Sequence, residues 1–331
     1  MTASVLITRH DKIGDFVVAL PMFKCLKAAR PELRVIALVA KINLSLAREL
    51  PYIDEVIEYK PDDMGATLAA IKKAKCSVSI SAFIDSQLGV LLWRAGIPTR
   101  IGPATKLAQI WFNRRVKQRR SQVNKTEFAY NLDLLKAFDS SIKPEFTKPL
   151  FELPQADCET AIQKFRQQFD IESTLPIVAF HPGSGGSTDG NLTLDHYIKL
   201  AKAVSQQGCS QVVFTFGPDD GDLVADVSSQ LGDQAILYTS QGSVYDFALL
   251  LSGFSLFVST STGPMHLAAG SNIRTVSFFG DIKVASPARW ASVNQTDYQH
   301  NYTLSSGYSE ELYSEIETAL LGLIEQGKHC H

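Results

Sequence analysis

The chain has 331 residues, 45% of them hydrophobic and 20% charged, with a formal net charge of -2 at pH 7. That length favours two domains over a single core, and the near-zero charge excludes a general attraction to nucleic acid, so any basic surface must be local. Five cysteines, Cys25, Cys76, Cys158, Cys209 and Cys330, form no C-x-x-C pair, and MTASVLITRH lacks a leader pattern, so a cytoplasmic protein is expected, with no apolar run long enough to span a bilayer.

The order of elements begins with an apolar run over 4–8, the loop RHDKIGD, and a helical pattern through Val17, Leu20, Phe23 and Leu26 in which Pro21 should kink or restart the helix. Strand VIALVA, a helix over 44–50, strand EVIEY, a helix over 64–74 and strand SVSIS follow, then a helix over 87–94 and a short strand over 99–102. Alternation of continuous apolar strands with helices predicts a parallel sheet covered on both faces. Residues 104–125 break the pattern. They carry Lys106, Arg114, Arg115, Lys117, Arg119, Arg120 and Lys125 around Trp111 and Phe112, with no acid among them. Such a run is either a solvated loop or helix face, or a clamp for an acidic, phosphorylated or membrane-embedded partner.

A helix over 127–138 and the proline-bearing stretch DSSIKPEFTKPLFELP end the first half, placing the domain boundary between 153 and 154. The second half repeats the alternation: a helix over 158–169, strand PIVAF, loop HPGSGGS, a helix over 194–206, strand QVVFTF and loop GPDDGD. A helix over 224–231, strand AILYT, a helix over 244–251, strand LFVS, turn STSTGPMH and strand TVSFF come next. A second doubly wound α/β domain over 154–331 is expected. Its final helix, about 309–326, carries Leu312, Ile316, Leu320 and Leu323 on one stripe.

Loops after parallel strands are where open α/β sheets bind ligands. In STSTGPMH, Gly263 and Pro264 open a helix whose free N–H groups suit an anion. The hydroxyls of Thr260, Ser261 and Thr262 are available to cap it, and His266 lies on its first turn. HPGSGGS offers Gly183, Gly185 and Gly186 with Ser184 and Ser187, a run able to nest a phosphate. Together they favour a diphosphate ligand, although a capped helix and a plain turn are the simpler readings of each alone. Asp15 follows Gly14 at a helix start, where the dipole favours an ionised carboxylate able to take a proton. Arg9 and Lys12 can balance a diphosphate, and Asp219 or Asp220 can hold ribose hydroxyls. No His, Cys or carboxylate cluster has metal-ligand spacing, so no metal or other cofactor is expected.

RHDKIGD-x5-P, HPGSGGS and STSTGPMHLAAG, in that order and spacing, closely resemble glycosyltransferase family 9, the lipopolysaccharide heptosyltransferases. The resemblance implies a GT-B fold, two Rossmann-like domains facing across a cleft, with the acceptor on the first, the nucleotide sugar on the second, and the final helix packing back towards the first. It implies an inverting transferase using a nucleoside diphosphate sugar of the ADP-heptose type. The acceptor would be a lipopolysaccharide core or lipid A molecule, met by peripheral contact at the cytoplasmic face of the inner membrane. Asp15 matches the family's base. Thr262, Gly263 and His266 match its diphosphate turn, and Gly185, Gly186 and Ser187 the facing loop. Two departures stand out: Ser261 occupies a position where many members carry Asp, and Thr188-Asp189-Gly190-Asn191 lacks their Lys or Arg. Lys283, Arg289 and Lys12 are the cations available as substitutes. The rival expectations are a nucleotide-sugar-binding homologue without transfer, a GT-B sugar epimerase and, last, a Rossmann oxidoreductase, for which neither half shows G-x-G-x-x-G.

Overall fold

An apolar run such as Val5, Leu6 and Ile7 suits a strand sandwiched between two helical layers, and β1 (Ser4–Arg9) is buried along its whole length. In the computed structural model, which describes residues 3–172, 174–183 and 190–327, it lies at the centre of the first sheet. Helices α1 (Ile13–Val17) and α2 (Leu20–Ala29) follow. The break between them falls just before Pro21, which sits in the first turn of α2, so the helix restarts there. Next come β2 (Arg34–Ala40), α3 (Leu44–Glu49), β3 (Glu55–Tyr59), α4 (Met64–Ala74), β4 (Val78–Ser81), α5 (Ser86–Arg94), β5 (Thr99–Pro103), β6 (Arg114–Val116) and α6 (Glu127–Phe138). The six strands run parallel in the order β3-β2-β1-β4-β5-β6.

The second sheet is built in the same way. Its elements are α7 (Gln155–Gln168), β7 (Ile177–His181), α8 (Leu194–Gln206), β8 (Gln211–Phe216), α9 (Gly221–Leu231), β9 (Ile236–Thr239) and α10 (Val244–Leu251). They continue with β10 (Leu256–Thr260), α11 (Gly263–Gly270), β11 (Arg274–Gly280), α12 (Pro287–Trp290), β12 (Gln299–Leu304) and α13 (Glu310–Gly327). The strand order is β12-β11-β10-β7-β8-β9, again all parallel. In each sheet the order reverses beside the first strand, between β1 and β4 and between β7 and β10. Loops leaving those strands part there and open a crevice.

Both sixth strands escape the hydrophobic pattern. β6 is a three-residue edge strand inside the basic segment, with Arg114 and Arg115 exposed. β12 reads QHNYTL and buries only Leu304 fully, yet it pairs with β11 from Thr275↔Gln299 to Gly280↔Leu304. An edge strand needs little apolar surface, so periodicity says little about it.

The chain divides into two units, Met1–Glu152 with Ser243–Tyr245, and Leu153–Gly242 with Asp246–His331. Each has its own core. Leu6, Ile36, Leu38 and Ile57 meet Leu88 and Leu92 of α5 in the first. In the second, Val178, Phe180, Phe214 and Val258 pack with Ile316 and Leu320 of α13, and the stripe through Leu312 and Leu323 lies against the same core. Among the described residues no helix is long and apolar enough to cross a membrane.

Candidate active site

Arg9 closes β1 and is buried, so its guanidinium must find partners inside the protein. Nε donates to Asp11 Oδ1 at 2.7 Å, Nη2 donates to Asp15 Oδ1, and Nη1 faces Glu127 Oε1 at 3.6 Å. Glu127, the buried first residue of α6, is also gripped by Arg120, which donates to Gln118 Oε1 at 2.8 Å and Asn131 Oδ1 at 3.3 Å. Asn131 Nδ2 donates to Val18 O at 3.0 Å, tying α6 to the break after α1. The charges alternate: Arg120, Glu127, Arg9, Asp15.

Burial works against the charge of Arg9, but Asp11, Asp15 and Glu127 outweigh it and hold the guanidinium above its ordinary pKa. For Asp15 the largest influence is again burial, which raises its pKa. Asp11 and Glu127 add to the rise, and the pull of Arg9 does not cancel it. A carboxylate raised in this way is a better proton acceptor than one in water, and remains tethered. The five-residue α1 contributes position more than field: the charge holding Asp15 is that of Arg9. After β4, Asp85 caps α5 through the Leu88 N–H at 2.7 Å and accepts from His10 Nε2 at 2.9 Å. The His10 ring stands 4.3 Å from Tyr59 and 5.5 Å from Phe83.

In the second unit, β10 ends at Thr260 and α11 opens at Gly263 with Pro264 in its first turn. The hydroxyls do not cap the helix as the sequence led us to expect. Thr262 Oγ1 donates back to Thr260 O at 3.3 Å, and Thr260 Oγ1 lies 3.1 Å from Phe278 O and 3.2 Å from Gly190 O. No side chain caps α11 at Thr262, so its first-turn N–H groups remain donors for ligand oxygens. His266 is buried on that turn. Its Nδ1 has no hydrogen-bond partner among the described residues, and burial pushes its pKa down to about 4, leaving a neutral ring at pH 7. Across the switch, His181 Nδ1 donates to Thr215 O at 2.8 Å, and Asp220 Oδ2 accepts from the Gly217 N–H at 2.7 Å.

A family model described as glycosyltransferase family 9 (heptosyltransferase) matches residues 86–313. The chain belongs to glycosyltransferase family 9. It is 32% identical over 322 residues to a Haemophilus influenzae protein named "Putative glycosyltransferase", covering 94% of this chain and 92% of that one. It is 20% identical to the Campylobacter jejuni lipooligosaccharide heptosyltransferase 2, over 85% of this chain and 82% of that one. Its fold matches the Escherichia coli ADP-heptose lipopolysaccharide heptosyltransferase II at a TM-score of 0.79 and 17% identity, covering 98% and 99% of the two chains. It matches a family 9 glycosyltransferase from Veillonella parvula at 0.82 and 16%, covering 98% and 97%. The paired doubly wound sheets are therefore those of the GT-B heptosyltransferase fold.

Within this family 9 transferase the loop after β1 brings Arg9, Gly14 and Asp15 together, with Lys12 exposed at its rim. Arg9 differs from its expected role. Its charge is spent on Asp11, Asp15 and Glu127 instead of being offered to a diphosphate. Arg120 differs too, being committed to Glu127, whereas Arg114, Arg115 and Arg119 are exposed. The turn after β10 unites Ser261, Thr262, Gly263 and His266. Asp219 is exposed on the β8–α9 turn, while its neighbour Asp220 is the one bonded into the loop. Ser184, Gly185, Gly186, Ser187, Thr188 and Asp189 lie outside the described residues. Sequence reasoning missed Asp11, Glu127 and the His10–Asp85 pair. The one available signal for Glu127 was an acid directly after Thr126, the usual look of a helix start.

Proposed function

We propose that this family 9 glycosyltransferase moves a heptose, or a related sugar, from a nucleoside diphosphate donor of the ADP-heptose kind to a lipopolysaccharide core acceptor, with inversion, at the cytoplasmic face of the inner membrane. The observation that carries the reading is Asp15, a half-buried carboxylate with a raised pKa, tethered by Arg9 beside a strand-order switch. Residues 1–153 would receive the acceptor and supply the base, and residues 154–331 would hold the donor. The similarity to proteins named heptosyltransferases supports the sugar class.

In this reading an acceptor hydroxyl gives its proton to Asp15 as its oxygen bonds to the anomeric carbon. The bond from that carbon to the diphosphate oxygen breaks on the opposite face. Positive charge gathers on the sugar ring and negative charge on the departing diphosphate, which the uncapped N–H groups of α11 suit better as the bond stretches. His266 enters as a neutral ring, so it offers a hydrogen bond and no charge. Arg114, Arg115 and Arg119 meet anionic groups of the acceptor.

The test is a mass-spectrometric product assay offering several nucleoside diphosphate sugars against truncated lipopolysaccharide acceptors. Asp15→Asn should keep the wild-type unfolding temperature and lose at least about a hundredfold in turnover; wild-type turnover in that variant would remove Asp15 as the base. Ser261, standing where many relatives carry Asp, favours a second reading, donor binding without transfer. Tight calorimetric binding of a donor with no product from any pair would establish it.

A further inference from the structure

The aromatic residues inside the basic segment are not the ones it shows to solvent. Phe112 is buried, and Trp111 packs into the first core, its ring 5.7 Å from Trp93. Gly89 makes that seat possible, since a Cβ there would stand 2.6 Å from Trp111 Cβ. The turn is pinned from below: Arg100 Nε donates to Trp111 O at 2.7 Å, and Asn113 Nδ2 donates to Pro98 O at 2.6 Å. What the 3₁₀ turn Leu107–Trp111 then presents outward is Leu107 at 87% exposure and Ile110 at 69%, with Trp93 of α5 at 56%.

Those three are half of the six large hydrophobic side chains left exposed among the described residues, and they share one end of α5 and the turn against it. Chain continuity puts cations beside them. β6 begins three residues after Trp111, and Arg114, Arg115, Lys117 and Arg119 are exposed with no ion pair among the described residues. Lys125 and Arg120, by contrast, are held by Asp133 and Glu127. Along α5 a groove of about 410 Å³ is lined by Met64, Leu68, Val90, Leu91 and Arg94. An exposed apolar turn followed along the chain by cations with no ion pair among the described residues matches a bilayer edge, where tryptophan prefers the headgroup level and basic residues meet anionic lipid. An acidic protein would satisfy the cations but gives no reason for Leu107 and Ile110 to stand in water.

We propose that Trp93, Leu107 and Ile110 form a wedge that inserts into an anionic membrane surface while Arg114, Arg115, Lys117 and Arg119 hold its headgroups. The proposal deepens the reading above and rests on it only for the amphiphilic character of the acceptor. Apolar insertion and electrostatic attraction are each too weak alone for stable anchoring, and together they suffice.

Co-sedimentation of the full chain with vesicles of phosphatidylglycerol and phosphatidylethanolamine tests this, with phosphatidylcholine vesicles as the comparison. The wild type should partition onto the anionic vesicles. Leu107→Ser with Ile110→Ser should weaken partitioning about tenfold or more. Glutamine at Arg114, Arg115 and Arg119 should weaken it roughly a hundredfold at low salt, about fivefold per cation. The serine pair should retain the wild-type unfolding temperature, ADP binding by calorimetry, and turnover with a delipidated acceptor. Three results would each overturn the wedge: no partitioning of the wild type, loss on removing cations but none on removing Leu107 and Ile110, or a lipid-free dimer that the serine pair abolishes. Transfer without vesicle binding sinks this proposal alone, and vesicle binding without transfer sinks the functional reading alone.

Discussion

Arg9 Nη1 stands 3.6 Å from Glu127 Oε1 while Nη2 of the same guanidinium donates to Asp15, so two carboxylates far apart in sequence compete for one buried cation. Glu127 therefore acts on Asp15 without touching it. Its charge raises the Asp15 pKa through space. Glu127→Gln should lower that pKa, and because Asp15 in the proposed reaction works only when ionised, the acid limb of kcat/KM should move to lower pH. A pH profile with an unmoved limb would separate Glu127 from the base.

Arg120 should behave unlike the other arginines of its segment. Removing it leaves the buried Glu127 with one charge partner fewer, so Arg120→Ala should cost up to about 3 kcal/mol, with Arg9 limiting the loss. Alanine at Arg114, Arg115 or Arg119, all exposed, should change stability by less than about 0.5 kcal/mol. Urea unfolding midpoints of the four variants decide the matter, and four equal values would count against the ion-pair chain.

Burial of His266 makes stability depend on pH with a definite sign. The unfolded ring takes a proton below about 6.5, but the folded one resists until about 4. The unfolded state therefore binds more protons between those values, and stability present above pH 6.5 is lost as the pH falls through that window, by up to about 3 kcal/mol. His181, also lowered chiefly by burial, works in the same direction. Comparing denaturation of His266→Gln with the wild type at pH 7 and pH 4.5 isolates the His266 share, and identical slopes would refute it.

Gly190 is a position for glycine alone. Its φ is 79°, and a Cβ would lie 2.0 Å from Gly280 N at the end of β11. Gly190→Ala should lose more than about 1 kcal/mol. Because Gly190 O accepts from Thr260 at the turn before α11, the same variant should also bind ADP more weakly. Differential scanning calorimetry and titration together check both; an unchanged melting temperature would show that the β11 end yields freely.

Legibility in the sequence followed how local the cause was. β1, β2, β7, β8, β10 and β11 announce themselves as apolar runs because both of their faces are covered, while the edge strands β3 and β9 are only partly buried. β6 and β12 carry arginine, glutamine and asparagine because an edge strand tolerates them. The roles of Arg9 and Arg120 stayed hidden for another reason. Among so many cations only the folded chain decides which ones are buried against Glu127, and a lone acid at a helix start carries no mark of its partner. That Phe112 and Trp111 face inward stayed hidden in the same way, since aromatic composition does not say which ring is buried.

The Arg9–Asp15 bond also has a stereochemical meaning. A carboxylate offers two oxygens, and Arg9 engages Oδ1, so in the proposed reaction Oδ2 is the atom that would receive the proton. The in-plane lone pairs of one oxygen define a narrow approach, so under the proposed mechanism a sugar hydroxyl arriving along that line would be the one activated. Regiochemistry would then be written by a guanidinium that never meets the acceptor.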